Sequence, residues 1–257
     1  MEKVSVTIIT LNEEANIGEC LESLKWADEI IVSDSKSTDR TVEICRSYGA
    51  RVYTDEWLGF GAQKNLCQSR AKNQWIFNID ADERAAPGFG EEVARVLAAG
   101  TAPGYYVARK NYFGDKWIRH CGWYPDLNLR LYRKDAGRFS ERAVHEAVVI
   151  EGPTGRLSTP LIHRTYSGVS DYLKRMERYS SLAALEMKKE GRKAGGADLL
   201  LRPVFTFIKM FFLRKGFLEG RTGLTLSMLY SRYTYRKYTK LRELLREGGP
   251  AGKRRSE

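Results

Sequence analysis

Strand-like and helix-like stretches alternate through the first hundred residues, and this order constrains the fold more than any other feature of the chain. VSVTIIT, EIIVSD, ARVYT and QWIFNID are short apolar runs typical of buried β-strands. Between them, stretches such as NEEANIGECLESLK space their apolar residues at helical intervals. The resulting β-α-β-α-β-α-β order predicts right-handed crossovers and a doubly wound, largely parallel α/β sheet.

The pattern changes twice further along the chain. Between Gly104 and about His163, runs such as GYYVARKNYF and LNLRLYRK predict strands separated by turns, which we interpret as a mixed or antiparallel extension of the sheet. Helical periodicity returns from Ser170 onward. We therefore expect four segments: an α/β half at 1–100, the sheet extension at 101–168, C-terminal amphipathic helices at 169–247 and a disordered tail at 248–257.

The net charge of +11 is concentrated at one end of the 257 residues. Residues 1–168 hold 22 Lys and Arg against 23 Asp and Glu, whereas residues 169–257 hold 21 against 9. A near-neutral body followed by a segment of net charge +12 predicts that the last third meets an anionic partner. The four cysteines are scattered without zinc-like spacing and no signal peptide is visible, so we expect reduced thiols in a cytoplasmic protein.

Polar clusters follow three of the predicted strands. They are TLNEE at 10–14, SDS at 33–35 and DADE at 80–83. Ligands bind at the carboxyl ends of the strands in doubly wound sheets. Asp80 and Asp82 leave one strand end together, where their mutual repulsion requires a cation, and hard oxygen ligands suit Mg²⁺ or Mn²⁺. A lone D-x-D motif also occurs in solvated turns, but this position favours a metal–diphosphate site.

The stretches TIITLNEEANIGECLESL, EIIVSDSKSTDRT and QWIFNIDADE resemble the consecutive motifs of family 2 inverting glycosyltransferases with the A-type fold. The resemblance covers about residues 4–90, and order, spacing and strand placement agree. NEEANI, WLGFGAQKN, VHE and GFLEG are most similar to lipopolysaccharide-core glycosyltransferases that add a hexose to inner-core heptose. The resemblance implies a nucleotide-sugar-binding half at 1–100 and an acceptor side at 101–168.

The resemblance also implies roles for individual residues. The residues that it assigns to the nucleotide are Thr10, Asn12, Glu13, Asp34, Lys64, Asn65 and Asp80. Asp82 is the implied direct metal ligand, with Asp80 at the ribose or the metal. Asn12 is also the expected N-cap of the first helix, and Lys64 and Asn65 would otherwise lie on an exposed helix face. The turn after Asp34 departs from the usual Asp-Gly-Ser.

An inverting transfer requires a general base that takes the proton of the acceptor hydroxyl. The candidates in GRFSERAVHEAV are Glu141, His145 and Glu146. The resemblance places a carboxylate after VH, which favours Glu146 as the base, with Glu141 as the alternative. His145 is expected at phosphate or metal, unless it is a structural histidine of a strand.

The stretch RKNYFGDKWIRHCGWYPDLNLRLYRK is dense in aromatic residues and arginines. Trp123 is a candidate for stacking on a sugar, and Arg130 is a candidate for contacting a phosphate of donor or acceptor. Packing in the sheet extension is the simpler explanation for any single ring. Nucleic-acid binding is disfavoured because most of the positive charge lies outside this stretch.

A helix is predicted around residues 200–211, with one face apolar and the other basic. The apolar face holds Leu200, Val204, Phe207 or Ile208, and Phe211, and the other holds Arg202, Thr206 and Lys209. Such a helix suits a cytoplasmic membrane surface with anionic lipids, although a core-packing helix with a solvated basic side has the same pattern. We expect a peripheral protein on the inner face of the cytoplasmic membrane.

These features together predict a metal-dependent inverting hexosyltransferase. It would use a nucleotide-sugar donor, of the UDP class, and a lipid-linked envelope glycan such as lipopolysaccharide inner core. A polyprenyl phosphate, a capsule precursor or a protein is the alternative acceptor. A sugar nucleotidyltransferase is disfavoured because TLNEEANIG is acidic where that class carries a basic glycine-rich loop. A catalytically silent membrane adaptor with the same fold is the alternative from another class.

Overall fold

The computed structural model describes residues 2–140 and 147–247, and these form two compact units. The first unit holds the chain up to Asn111 together with Pro125–Thr165. The second holds Tyr112–Tyr124 and the chain from Tyr166 onward. The segment Tyr112–Tyr124 therefore groups with the helices that follow, while the boundaries expected at 100 and 168 stay predictions.

The strands follow the predicted alternation and then the predicted extension. They are β1 (Val4–Thr10), β2 (Glu29–Asp34), β3 (Arg51–Thr54), β4 (Trp75–Asn78), β5 (Glu83–Ala85), β6 (Gly104–Phe113), β7 (Lys116–Trp117), β8 (Asp126–Arg133), β9 (Gly137–Phe139), β10 (Val148–Ile150), β11 (Thr154–Arg156) and β12 (Leu161–Tyr166). The helices are α1 (Glu14–Glu22), α2 (Thr41–Ser47), α3 (Phe60–Ser69), α4 (Phe89–Ala99), α5 (Val169–Lys189), α6 (Gly196–Ile208) and α7 (Gly220–Glu247). A π-helical turn (Lys209–Leu213) and a 3₁₀ turn (Gly216–Glu219) lie between α6 and α7.

The main sheet is mixed, as expected for this doubly wound α/β fold. Its strand order is β3-β2-β1-β4-β8-β6-β12-β5, and β7 and β11 also pair with β6. The first four strands in that order are parallel, whereas β8 is antiparallel to both β4 and β6. Strands β9 and β10 form a separate hairpin. The short strand β5 was not predicted, because DADE reads as a turn.

Alternate residues of the parallel strands supply the two faces of the core. Val32 and Phe77 pack with α1, α2 and α4 on one face of the sheet. Their neighbours Ile31 and Ile76 pack with Cys67 of α3 on the other face. Burial on both faces explains why these strands read as continuous apolar runs. The four cysteines are all buried free thiols.

The second unit is built around the long helix α7. Ala184 and Met187 of α5 pack on Tyr238 and Leu241 of α7. Within the helices of the described residues, none combines the length and the apolar content that crossing a bilayer requires.

Candidate active site

The carboxyl ends of β1, β2 and β4 bring the predicted polar clusters to one edge of the sheet. Thr10, the last residue of β1, lies opposite Asp34, the last residue of β2, and Thr7 lies opposite Asn78 of β4. The chain leaves β4 directly into Asp80 and Asp82. The parallel register therefore places the three clusters at neighbouring strand ends.

Asp34 is buried and shapes the turn that follows β2. The hydroxyl of Thr10 donates a hydrogen bond to its Oδ1 atom over 3.0 Å, and the backbone N–H of Ser37 donates to Oδ2 over 2.9 Å. Only 1% of Asp34 is exposed. The carboxylate thus links the ends of β1 and β2, and its predicted role at the nucleotide stays a prediction.

Asn12 does not cap α1, which corrects the expectation from the sequence. The helix begins at Glu14, and Asn12 has a left-handed φ of 55° that asparagine tolerates better than most residues. Its side-chain Oδ1 accepts a hydrogen bond from the backbone N–H of Thr38 over 2.8 Å. The N–H of the next residue, Glu13, donates to the hydroxyl of Thr41. Asn12 and Glu13 therefore fasten the β1–α1 loop to the β2–α2 loop.

Asp80 lies between two cations. Its Oδ1 atom is 3.0 Å from Nζ of Lys64, and its Oδ2 atom is 2.9 Å from Nη2 of Arg130. Burial by itself raises the pKa of the Asp80 carboxyl, but the positive charges of Arg130 and Lys64 outweigh burial and hold that pKa well below its usual range. Asp80 is therefore a carboxylate at any physiological pH.

Glu83 is fully buried behind Asp80. Its Oε1 atom accepts hydrogen bonds from Arg130 over 2.7 Å and from Arg109 over 3.1 Å. Its Oε2 atom accepts a hydrogen bond from the backbone N–H of Asp80 over 3.0 Å. Arg109 also pairs with Asp126 over 2.7 Å. Burial by itself raises the pKa of the Asp126 carboxyl, but the charge of Arg109 and the hydrogen bonds of Asn111 and Asn128 lower that pKa below its usual value. Glu83 thus fixes the backbone of Asp80 and the guanidinium of Arg130, which in turn binds the Asp80 carboxylate.

Asp82 faces a histidine that the sequence did not single out. Nε2 of His163 lies 3.3 Å from Oδ2 of Asp82. The antiparallel register of β5 and β12 sets His163 opposite Glu83, next to Asp82 in the chain. Nδ1 of His163 lies 2.7 Å from Oδ1 of Asn111.

The hydrogen bonds of Asn111 fix the tautomer of His163. The amide nitrogen of Asn111 donates to the carboxylate of Asp126 over 3.0 Å, so its Oδ1 atom faces His163 as an acceptor. Nδ1 of His163 must then carry a proton and donate it. Its Nε2 atom faces the Asp82 carboxylate: a protonated ring donates an Nε2–H hydrogen bond to that carboxylate, and the neutral tautomer offers a lone pair to a cation placed between the two.

Two lone-pair donors that face each other suit a shared cation. A histidine that donates through one ring nitrogen and offers the other is the usual arrangement of a metal-ligating histidine. Asp82 and His163 could therefore hold a divalent ion. No group of three His, Cys, Asp or Glu side chains arranged for a metal exists among residues 2–140 and 147–247. Two protein ligands suffice where substrate phosphates and water complete the coordination of Mg²⁺.

Lys64 and Asn65 of α3 have separate partners. Nζ of Lys64 also lies 5.2 Å from the centre of the Phe139 ring. The side-chain amide of Asn65 donates to the carbonyl oxygen of Phe139 and accepts from its N–H, each over 2.9 Å. In this structure Asn65 thus ties α3 to β9, and its predicted contact with the nucleotide is untested.

A polar cavity of about 320 Å³ opens beside this cluster within the first unit. Asp80 and the three cations around the carboxylates line one side. The complete lining is Lys64, Asp80, Tyr106, Arg109, Leu127, Asn128, Leu129, Arg130, Phe139, Ala147 and Val148. The cavity provides polar surroundings next to the carboxylates for a substrate group.

The remaining predicted site residues fall elsewhere. Trp123 lies in the core of the second unit with Ile118, Met210 and Leu226, so packing accounts for the position of its ring. Glu141, His145 and Glu146 lie outside the described residues. The contact of Trp123 with the acceptor stays a prediction. So do the roles of Glu141 and Glu146 as base and of His145 as a phosphate or metal contact.

The residues that sequence reasoning missed are Glu83, Arg109, Asn111 and His163. Glu83 belongs to the DADE stretch, but a sequence that suggests a turn does not reveal the strand pairing that buries it. The alternation of LIHRTY does place Leu161, His163 and Thr165 on one face of a strand. That alternation is the one available signal, and it does not say which carboxylate the histidine meets.

Comparison with known proteins identifies the family. The family model described as Glycosyl transferase family 2 matches residues 5–150, more than half of the chain. The chain belongs to glycosyl transferase family 2. This glycosyltransferase is 32% identical over 255 residues to the lipopolysaccharide core biosynthesis glycosyltransferase LpsC of Rhizobium meliloti, with 91% of this chain and 93% of LpsC covered. It is 32% identical over 260 residues to an uncharacterized glycosyltransferase of Rickettsia typhi, with 95% and 88% covered.

Two solved structures are also similar to this chain. The structure of S. aureus TarS residues 1–349 in complex with UDP-GlcNAc matches with a TM-score of 0.49 and 17% identity, over 96% of this chain and 92% of that chain. Mycobacterium tuberculosis glucosyl-3-phosphoglycerate synthase in complex with Mn²⁺, UDP and glucosyl-3-phosphoglycerate matches with a TM-score of 0.35 and 27% identity, over 44% of each chain.

Proposed function

We propose that this family 2 glycosyltransferase moves a hexose, with inversion, from a UDP-sugar to a lipid-anchored envelope glycan such as lipopolysaccharide inner core. The observation that carries the proposal is the arrangement of Asp80 and Asp82. They leave a central parallel strand beside Lys64 and Arg130, at the edge of the sheet where β1 and β2 end. The similarity to LpsC along nearly the whole chain supports the acceptor class.

The charge of the site supports a requirement for Mg²⁺ or Mn²⁺. Around the cluster, three cations face four carboxylates. The cations are Lys64, Arg109 and Arg130, and the carboxylates are Asp80, Asp82, Glu83 and Asp126. The four carboxylates outnumber these three cations by one, so a further cation would help the cluster to accept a diphosphate. We infer that Asp82 and His163 hold the ion, which would neutralise the charge that develops on the leaving nucleoside diphosphate.

The protein residues around the ion prepare the donor. Lys64 and Arg130 keep Asp80 ionised and fixed in orientation, so Asp80 can accept hydrogen bonds from the donor ribose or lie against the ion. Thr10, Asn12, Glu13 and Asp34 are the proposed contacts of the base and ribose. Asn65 is a further proposed contact, and Arg130 is proposed to meet a phosphate through the cavity that it lines.

The acceptor hydroxyl must lose its proton as it attacks the anomeric carbon. Glu146 is the proposed general base and Glu141 is the alternative, with His145 proposed at the phosphate or metal. The hairpin residues that flank this segment, Phe139 and Ala147, line the polar cavity beside Asp80.

We further propose that the enzyme works on the inner face of the cytoplasmic membrane. The net charge of +12 over residues 169–257 supports attraction to anionic lipids, since each basic residue near such a surface contributes about 1 kcal/mol. A lipid-anchored acceptor would be presented at the same surface. This location is independent of the chemistry, and the two are tested separately.

A thermal-shift screen of nucleotide sugars with Mg²⁺ or Mn²⁺ tests the donor. A ligand at about one hundred times its Kd stabilises a protein by about 2.7 kcal/mol, which raises the Tm by roughly 5–10 °C for a chain of this size. We expect that shift with a UDP-hexose and metal, and a smaller one without metal. Failure of every nucleotide sugar to stabilise the chain would remove the proposal.

Hydrolysis of the stabilising donor then separates an enzyme from a silent adaptor. We expect slow, metal-dependent release of UDP without acceptor, and faster release when lipopolysaccharide acceptors that lack the outer core are added. Binding of the donor without any release, with every acceptor class, would favour the adaptor. Activity with a polyprenyl phosphate alone would reassign the acceptor.

A further inference from the structure

An unusual amount of apolar surface is exposed on α6 and on the two turns that follow it in the second unit. Nine large apolar side chains within residues 200–218 have 41–68% of their surface exposed. They are Leu200, Leu201, Val204, Phe205, Ile208, Phe212, Leu213, Phe217 and Leu218, and are called the apolar face below. Single exposed apolar residues are common on proteins, but a contiguous set of this size marks an interaction surface.

Helical spacing places four of these residues on one side. Leu201, Phe205, Ile208 and Phe212 follow one another at intervals of three or four residues, the repeat of one helix side. The side predicted from the sequence was partly different, because Phe207 and Phe211 are half-buried with their rings stacked at 5.5 Å.

Helix α6 packs on the protein through Leu199, Pro203 and Thr206, and leaves most of its leucine and phenylalanine side chains exposed. The hydroxyl oxygen of Thr206 lies 3.2 Å from that of Thr234 in α7. The hydroxyl of Ser231 in α7 donates a hydrogen bond to the carbonyl oxygen of Pro203. Pro203 is buried at this contact. If water were the only neighbour of α6, the hydrophobic effect would favour burying the leucine and phenylalanine side instead. An exposed apolar side of this size is therefore expected to have an apolar neighbour.

The charges around the apolar face indicate what that neighbour is. Five basic residues lie within 196–221, namely Arg202, Lys209, Arg214, Lys215 and Arg221, and all are exposed. The two acids of the same stretch are both paired. Asp198 pairs with Arg202, and Glu219 is buried against Lys116 and His120. An apolar surface rimmed by cations matches an anionic lipid bilayer, because the acyl region accepts apolar side chains and the anionic headgroups attract the cations.

We propose that the apolar face is the part of the second unit that enters the interface of an anionic membrane. This deepens the proposed membrane location by naming the element that makes the contact. Two copies joined through the same face would set Lys209, Lys215 and Arg221 of one against those of the other, because a two-fold interface uses the same patch twice. That repulsion disfavours a second copy as the occupant.

Vesicle flotation of the full chain tests the proposal. The triple variant Leu201→Ser, Phe205→Ser and Phe212→Ser removes three exposed members of the apolar face. The matched control Tyr179→Ser, Leu182→Ser and Leu185→Ser removes three apolar residues of α5 in the same unit that are 45–48% exposed. We expect the wild type and the control to float with vesicles of phosphatidylcholine and phosphatidylglycerol, and the face variant to lose at least about tenfold in partitioning.

A charge variant tests the lipid class. Lys209→Gln with Arg221→Gln leaves the apolar face intact and should reduce binding to the mixed vesicles, as should added salt, because exposed charges are screened. Binding of the face variant at the wild-type level would overturn the proposal. So would a wild type that fails to float and forms a dimer, in light scattering, which the face variant converts to a monomer.

Donor hydrolysis without vesicles keeps this test separate from the proposed chemistry. The face variant should release UDP at the wild-type rate in solution, since its changed residues are exposed side chains of the second unit. An active chain that does not bind vesicles would refute the membrane contact alone, and an inactive chain that does bind them would refute the chemistry alone.

Discussion

Nε2 of His163 lies 3.3 Å from the Asp82 carboxylate, although 81 residues separate the two in the chain. The antiparallel pairing of β5 with β12 creates this contact, because it sets His163 beside the residue that follows Asp82. Asn111 accepts a hydrogen bond from Nδ1 and so keeps Nε2 directed at the carboxylate. The second acid of the D-x-D motif, Asp82, therefore faces a histidine, whereas the first, Asp80, is neutralised by Lys64 and Arg130.

Replacing Asp82 should remove metal binding and transfer together. In Asp82→Asn we expect transfer to fall by more than about a hundredfold, because the amide loses the charge that attracts the ion. Mn²⁺ titration followed by electron paramagnetic resonance measures the binding directly. A variant that keeps wild-type turnover and Mn²⁺ affinity would show that Asp82 is not a ligand.

Replacing Asn111 should weaken metal binding although both proposed ligands, Asp82 and His163, are kept. In Asn111→Leu the Nδ1 atom of His163 loses its 2.7 Å amide acceptor and keeps only the hydroxyl of Thr165 at 3.2 Å. Ring orientation and tautomer are then less firmly fixed, and we expect a 10- to 100-fold loss of Mn²⁺ affinity. Asn128→Ala is the matched control, because Asn128 also binds Asp126 but has no bond to His163. Equal losses in both variants would point to Asp126 instead.

Arg130 should be important for stability as well as for activity. Arg130→Gln leaves Asp80 and the fully buried Glu83 without their shared cation, and removing one partner of a buried ion pair typically costs about 3–5 kcal/mol. Urea unfolding measures the free energy. Arg133→Gln is the control, since its ion pair with Asp135 is exposed and should have little measurable effect. A cost as small as that of the control would contradict the buried role of Arg130.

Stability should fall in acid through Asp80. Its pKa in the folded protein lies well below the unfolded value of about 3.9, so the stability that it contributes is present above about pH 4 and is lost as pH falls below that value. Urea unfolding at several pH values below 5 measures this loss. In Asp80→Asn the decline should be shallower, and an unchanged decline would assign it to other carboxylates, such as Asp126.

Glu146→Gln tests the proposed base. We expect transfer to drop by about 10²–10⁴-fold while the thermal shift with the donor and metal is kept, because a general base acts on the acceptor and not on donor binding. Glu141→Gln is the parallel variant, and the larger loss of transfer identifies the base. Near-wild-type transfer in both variants would exclude these two residues.

Much of the fold and part of the site follow from local sequence. The apolar runs at β1, β2 and β4 predict their strands because burial on both faces of a parallel sheet demands them. Their order then places Thr10, Asp34 and Asp80 at one edge, since parallel strands share their carboxyl ends. The expected cap at Asn12 was wrong because a loop-to-loop contact with Thr38 uses the side chain instead.

What the sequence by itself determined was the α/β order, the family and the line of polar strand ends, all of which depend on periodicity and near neighbours. Only the tertiary structure decided which acid pairs with each cation, that Glu83 is buried and binds Arg130, and that His163 faces Asp82. It also decided which side of α6 is left exposed. These outcomes depend on strand register and on helix packing between residues far apart in the chain, and periodicity carries no information about such pairings.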